Sequence, residues 1–296
     1  MNNPDLKKKT LILLIIIICL FSCSYWLYGK FYVTTDDAYV GANVVQISPQ
    51  VTGKVKHLYV SNNQHVIAQE LLFDLETEIY DAALLEAKAG LLVAEAKMKI
   101  AQVTKDRTLE LVTQKAVSFQ ENDIAVGNLE AAIAQRDINQ ALVTKAELNL
   151  KYTSISAYTS GWITNMTLQV GDSVTAHQPL FALVNDQKFW VDANFKENEL
   201  EHVRIGQPVD IKIDMYPEQE FSGIVESFSS GTGNAFSLLP PENATGNWVK
   251  ITQRVPVRIL IINNHFNQPL RIGTSAVVKI HTSPLSTRAS KINEHP

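Results

Sequence analysis

Two stretches of this 296-residue chain decide its fold: residues 47–75, ISPQVTGKVKHLYVSNNQHVIAQELLFDL, and residues 155–183, ISAYTSGWITNMTLQVGDSVTAHQPLFAL. They align without a gap at a constant offset of 108, with eight identities in 29 positions, where average composition gives about two by chance. Ile47 meets Ile155, Ser48 meets Ser156, Gly53 meets Gly161, Val66 meets Val174 and Phe73 meets Phe181. Elsewhere the apolar pattern is kept, as in Val55/Ile163, Leu58/Met166 and Val60/Leu168. Asn63 is answered by Gly171, and both residue types tolerate the positive φ of a tight turn. Short alternating apolar runs divided by turn chemistry read as strands. The two halves are therefore expected to fold against each other as one pseudo-symmetric β-sandwich, formed by residues 43–76 and 152–184.

Residues 77–151, between the halves, have a different character. They contain no proline and are rich in Ala, Leu, Glu, Lys and Gln, all strong helix formers. The break falls near Lys115 to Ser118, where Ser118-Phe119-Gln120-Glu121 matches a capping box that starts a second helix. On that helix Ile124, Gly127, Ala131, Ala134, Ile138, Ala141, Lys145, Leu148 and Tyr152 step by threes and fours and predict a coiled-coil seam. The first helix answers with Ala82, Leu85, Ala89, Leu92 and Ala96, then slips by one to Ile100 and Val103, which predicts a stutter. Two antiparallel helices of about 37 residues would make a rod about 55 Å long. Such a rod is too thin to hold an active site.

Before the first half, residues 11–28 (LILLIIIICLFSCSYWLY) are free of charge, near the lower length for crossing a bilayer. Lys7, Lys8 and Lys9 precede them and Tyr25, Trp26 and Tyr28 close them. This predicts one spanning helix, a cytoplasmic tail at 1–10 and export of everything beyond. The competing reading is a cleaved signal with Cys23 as a lipidation site, but Phe21 is bulky where a lipobox needs a small residue. Cys19 and Cys23 are the two cysteines, so the exported part carries no thiol, which suits an oxidising compartment. Residues 29–42, with Thr34, Thr35, Asp36 and Asp37, read as a linker or membrane-proximal strand. Residues 185–283 carry strand candidates at 189–195, 209–213, 223–228, 255–262 and 276–281, suggesting a small β-barrel with a membrane-proximal region. Residues 229–247 read as a long loop and 284–296 as a disordered tail.

The signals of chemistry are missing. The seven histidines are scattered singly, and no G-x-S-x-G, P-loop or H-E-x-x-H occurs. No metal or cofactor is expected, and no enzymatic activity. The net charge is −4, and the first ten residues carry +2 of it. The body of the chain therefore has no basic surface for nucleic acid.

The half-motif resembles a lipoyl or biotinyl carrier domain, but the junction where that domain displays its modified lysine is here Asp74-Leu75-Glu76-Thr77 leading into the helices. Several strings taken in order resemble the HlyD-like membrane fusion protein family, in its EmrA/AaeA-type branch. They are the apolar anchor, Asp36-Asp37-Ala38-Tyr39-Val40, Ile47 to Gly53, Ile155 to Gly161, and Gln253-Arg254-Val255-Pro256-Val257-Arg258. The implied fold is mostly β with an α-helical coiled-coil hairpin: an N-terminal transmembrane helix, a split lipoyl-like sandwich, a β-barrel and a membrane-proximal β domain. The implied function is a periplasmic adaptor, held in the bacterial inner membrane by one helix, that links a transporter to a TolC-like outer-membrane channel. A major-facilitator multidrug exporter is the first choice of transporter. An aromatic-acid exporter or an ATP-driven type-I secretion system are the alternatives. The family's tip motif for the channel, R-x-x-x-L-x-x-x-x-x-x-S, stands here as Arg107, Leu111 and Ser118. The resemblance also implies a homo-oligomer of six copies.

Overall fold

The structure is a computed structural model that describes Leu14 and residues 32–232, 252–262 and 269–282. Apart from Leu14, the expected anchor at 11–28 lies outside the described residues, as do the tail and most of the 229–247 loop. Among the described residues no helix is long and apolar enough to cross a membrane. The chain divides into two compact units, residues 44–185 and residues 1–43 with 186–296.

In the first unit the repeat is visible bond by bond. Its strands are the end of β1 (Tyr32–Ile47), then β2 (Gly53–Leu58), β3 (His65–Val66), β4 (Leu71–Leu75), β5 (Ser154–Ser156), β6 (Gly161–Thr164), β7 (Ser173–Val174) and the start of β8 (Phe181–Lys196). β2 pairs with β7 through Gly53 and Val174, and β3 pairs with β6 through Val66 and Gly161, which are the same two positions with the halves exchanged. Gln69 N–H donates to Ala157 O at 2.7 Å and His177 N–H donates to Pro49 O at 2.7 Å. Asn63 N–H donates to Ile163 O at 3.0 Å and Gly171 N–H donates to Val55 O at 2.9 Å. Side-chain bonds repeat too: Ala68 N–H donates to Ser160 Oγ and Ala176 N–H to Thr52 Oγ1, each at 3.1 Å.

Burial explains why the repeat persists. Ile47, Val55, Val60, Val66, Phe73 and Leu75 share one apolar core with their counterparts Ile155, Ile163, Leu168, Val174, Phe181 and Leu183. Phe73 and Phe181, themselves counterparts, meet edge to face with ring centres 6.1 Å apart. Gly161 is required by close approach: a Cβ there would lie 2.1 Å from Val184 O, inside any real contact distance.

Two helices, α1 (Glu78–Thr113) and α2 (Phe119–Lys151), enter this unit between β4 and β5. They pack on each other in antiparallel fashion, with Gly90 against Asn139 and a 3.8 Å ion pair between Lys88 and Glu147. Their contact line differs from the one expected. The shielded positions of α1 run Leu84, Ala87, Leu91, Ala94, Met98 and Ala101, continuing to Lys105, Thr108 and Val112. Those of α2 run Asn122, Ala125, Leu129, Ala132, Arg136, Asn139, Val143, Ala146 and Leu150. Both keep an unbroken alternation of three and four, so the stutter is absent. The residues expected in the seam face solvent instead: Leu85 is 71% exposed, Leu92 68% and Ile138 55%. The cause is that the outer face is as apolar as the inner one, while the inner face holds Lys105, Arg136 and Asn139. Periodicity alone then selects the wrong stripe.

In the second unit the remaining part of β1 pairs with β12 (Ser275–His281), followed by β9 (Pro208–Ile213), β10 (Glu220–Phe228), β11 (Arg254–Ile261) and β8, and β8 pairs back to β1. The result is a barrel. Its interior takes alternate residues, such as Val209, Ile211 and Ile213 on β9 and Val257, Ile259 and Ile261 on β11. Of the two readings of residues 29–42, linker or membrane-proximal strand, Thr34 to Asp37 take the strand, as part of β1. The polar residues there are held in place: Thr35 Oγ1 donates to Asn194 O at 3.0 Å, and the Asp37 carboxylate accepts from Asn194 Nδ2 and pairs with Arg254. Two of the strings that carry the family resemblance thus meet through Asp37 and Arg254. Asp192 likewise pairs with Arg258 at 2.9 and 3.1 Å, which raises the guanidinium's pKa further, and Arg258 covers the Trp190 ring at 4.5 Å.

Candidate docking site at the helical turn

The three sequence-predicted site residues all lie at the turn that joins α1 to α2. Arg107 and Leu111 are one turn apart near the end of α1, and Ser118 is the residue before α2. Arg107 and Ser118 are exposed, and Leu111 is 36% exposed. Arg107 makes no hydrogen bond or ion pair among the described residues, so its donors are free for a ligand.

The backbone between them closes on itself. Lys115 takes a positive φ of 59°, Ala116 N–H donates to Leu111 O at 2.9 Å, and Lys115 N–H donates to Val112 O at 2.9 Å. This pair of bonds is the Schellman helix stop, here with lysine where glycine is commoner. Leu111 therefore has two duties, its carbonyl anchoring the turn while its side chain faces outward. Ser118 has two as well. Its Oγ accepts from Glu121 N–H at 3.3 Å, which caps α2. Only the serine half of the expected capping box is formed.

The local electrostatics favour a standing charge beside Arg107. Gln102 Nε2 donates to both oxygens of Asp106, at 3.0 and 2.9 Å, and these bonds, helped by Lys105 Nζ at 3.2 Å, hold the carboxyl below the usual carboxylate range. Sequence reading missed Phe119, which follows the cap and is 79% exposed. A large aromatic side chain in a polar turn was the available signal, since exposed aromatics are common anchors of interfaces. Among the described residues no group of three or more His, Cys, Asp or Glu is placed to hold a metal. The arrangement offers a donor, an apolar knob, a hydroxyl and an aromatic ring on a turn braced by its own backbone. Such a set of groups can make polar and apolar contacts with a ligand surface.

Comparisons with known proteins agree with this architecture. Residues 43–186 match the RND MFP barrel-sandwich hybrid domain, and residues 188–281 match the AAEA-like beta-barrel domain. The multidrug export protein EmrA of Haemophilus influenzae is 36% identical over 96% of this chain and 86% of its own length. The fatty acid resistance protein FarA of Neisseria gonorrhoeae is 35% identical over 87% of this chain and 78% of its own length. In fold, the chain is similar to the membrane fusion protein Spr0693 of Streptococcus pneumoniae R6, with a TM-score of 0.63, 16% identity, and coverage of 85% of this chain and 99% of that one. A chain that shares more than a third of its residues with such a relative over nearly its whole length, and both domains in order, belongs to the membrane fusion protein family of periplasmic adaptors, in its EmrA/AaeA-type branch.

Proposed function

We propose that this chain is the adaptor of a tripartite efflux pump, joining an inner-membrane transporter to a TolC-like outer-membrane channel and carrying no chemistry of its own. The observation that carries the reading is the turn itself: Arg107, Leu111 and Ser118 stand exposed at the far end of a helical excursion that starts where a carrier domain would display its lysine. An excursion of this kind extends a contact point and encloses no reaction. In this reading residues 11–28 anchor the chain in the inner membrane with 1–10 in the cytoplasm and the rest in the periplasm. Residues 77–151 act as a coiled-coil hairpin toward the channel, residues 43–76 and 152–184 form the lipoyl-like domain, and 185–283 form the barrel and membrane-proximal region. Six copies assemble around the transport path. The transporter is a major-facilitator exporter, which the relatives named for multidrug export and fatty acid resistance support. An aromatic-acid exporter is the second reading, favoured by the AAEA-like description of residues 188–281.

The test is the double substitution Arg107→Asp with Ser118→Arg. Channel cross-linking and drug tolerance are expected to be lost, while the circular dichroism spectrum and membrane level stay those of the parent. Unchanged export in that variant would sink the docking assignment.

A further inference from the structure

The first strand of the barrel leaves one carboxylate without a partner. The register of β1 against β12 shifts between Thr35 and Ala38, an irregularity that places Asp36 and Asp37 in succession. Asp37 N–H donates to Thr35 Oγ1 at 3.2 Å, and the Asp37 carboxylate takes Arg254. Asp36 is exposed and makes no hydrogen bond or ion pair among the described residues. With Thr34, Asn194, Lys196, Glu199 and Arg254 it lines a depression of about 360 Å³. Ala193 and Phe195 are buried in the barrel interior, so Asn194 and Lys196 and the depression they border are on its outside.

Two cations stand opposite each other there. Lys196 on β8 and Arg254 on β11 pair directly across the ladder, an arrangement that destabilises a sheet unless both charges are answered. Glu199 answers Lys196 at 3.4 Å, and Asp37 answers Arg254. An ammonium has three donors and a guanidinium five, so both keep donors for a further acceptor. With Asp36 counted, the carboxylates outnumber the cations. A lone anion would add to that excess, and a lone cation would lie against Lys196 and Arg254. A small ligand that carries both signs meets each with its opposite.

We propose that this depression binds a zwitterion with a phosphate and an ammonium two carbons apart, the phosphate on Lys196 and Arg254 and the ammonium on Asp36. The source its position favours is the headgroup of phosphatidylethanolamine, a choice that rests on residues 11–28 being the anchor. Asp36 is eight residues beyond Tyr28, which limits its distance from the end of the apolar stretch to about 27 Å of extended chain. At the start of β1, Lys279 Nζ lies 4.0 Å from the centre of the Tyr32 ring, and His281 meets that ring edge to face. Aromatic and basic groups of this kind settle at a membrane surface. A lipid held in the depression pins the first strand of the barrel to the bilayer. Free glycerophosphoethanolamine has the same chemistry and is the other source.

Calorimetric titration of the full chain in a non-ionic detergent tests the site. Short-chain phosphatidylethanolamine is compared with phosphatidylglycerol of the same chain length, which has the phosphate and lacks the ammonium. The parent is expected to bind the ethanolamine lipid about tenfold more tightly than the glycerol lipid. Asp36→Asn, at an exposed position, should remove that preference and leave the glycerol lipid unchanged, whereas Lys196→Gln should weaken both. A parent that binds neither lipid, or both alike, overturns the site, and so does an Asp36→Asn variant that keeps the preference. Glycerophosphoethanolamine titrated alone separates the sources. Binding as tight as the lipid's upholds the site and overturns its lipid source, and binding at least tenfold weaker upholds both. These readouts involve neither transporter nor channel, so a failure here leaves the adaptor reading standing, and loss of that reading leaves the site standing.

Discussion

The sandwich and the helical pair belong to one unit, yet they are held together differently. The sandwich buries Leu72, Phe73, Leu75 and Leu183 completely and doubles each key backbone bond through its internal symmetry. In the helical pair the buried side chains are Ala94, Ala125, Val143 and Ala146. Stabilisation grows with the apolar area removed from water, so alanine seams contribute little per turn. The difference teaches that stability is concentrated in the sandwich, while the helices rely on their propensity and present surface. A region built to meet partners keeps its large apolar residues outside.

The hardest test of that contrast is truncation at the centre of the symmetry. Phe73→Ala and Phe181→Ala should each lower the unfolding free energy by about 3–5 kcal/mol, read by urea unfolding at Trp162 with the other tryptophans replaced by phenylalanine. A large loss at one position and almost none at the other would mean that the halves do not share a core. Next in size is a single methyl group placed at two glycines. Gly161→Ala drives a carbon into Val184 O and should cost about 3 kcal/mol, whereas Gly127→Ala meets open space on α2 and should gain about 1 kcal/mol in a thermal melt. Equal effects at the two sites would erase the distinction between the regions. The smallest expected effect decides which stripe is the seam. Val143→Ala should cost about 2 kcal/mol and Ile138→Ala less than about 0.5 kcal/mol, by helical ellipticity on heating the isolated parent and variants in detergent. The reverse order would restore the stripe that periodicity favoured.

Much of this architecture is legible in the sequence. The offset of 108 announced the sandwich, because a core shared by two halves holds both to the same apolar positions. The tip was legible through Ser118, since a helix must begin with a residue that satisfies its first amides. Phe119 escaped because an aromatic residue at a helix start has the same local sequence whether it turns inward or outward, and only the packing around the turn leaves it exposed. The stretch Thr34 to Asp37 stayed open between linker and strand because aspartate and threonine resemble loop chemistry until Asn194 and Arg254 arrive from distant strands.

Taken alone, the sequence determined what repeats, where helices begin and end, and which family the order of motifs resembles. These depend on local propensity and on residue identity at fixed spacing. Only the tertiary structure decided which side of each helix is inside and that Asp37 belongs with Arg254. An apolar stripe has the same period whether it faces the other helix or the solvent, and an ion pair between residues so far apart in the chain leaves no local trace.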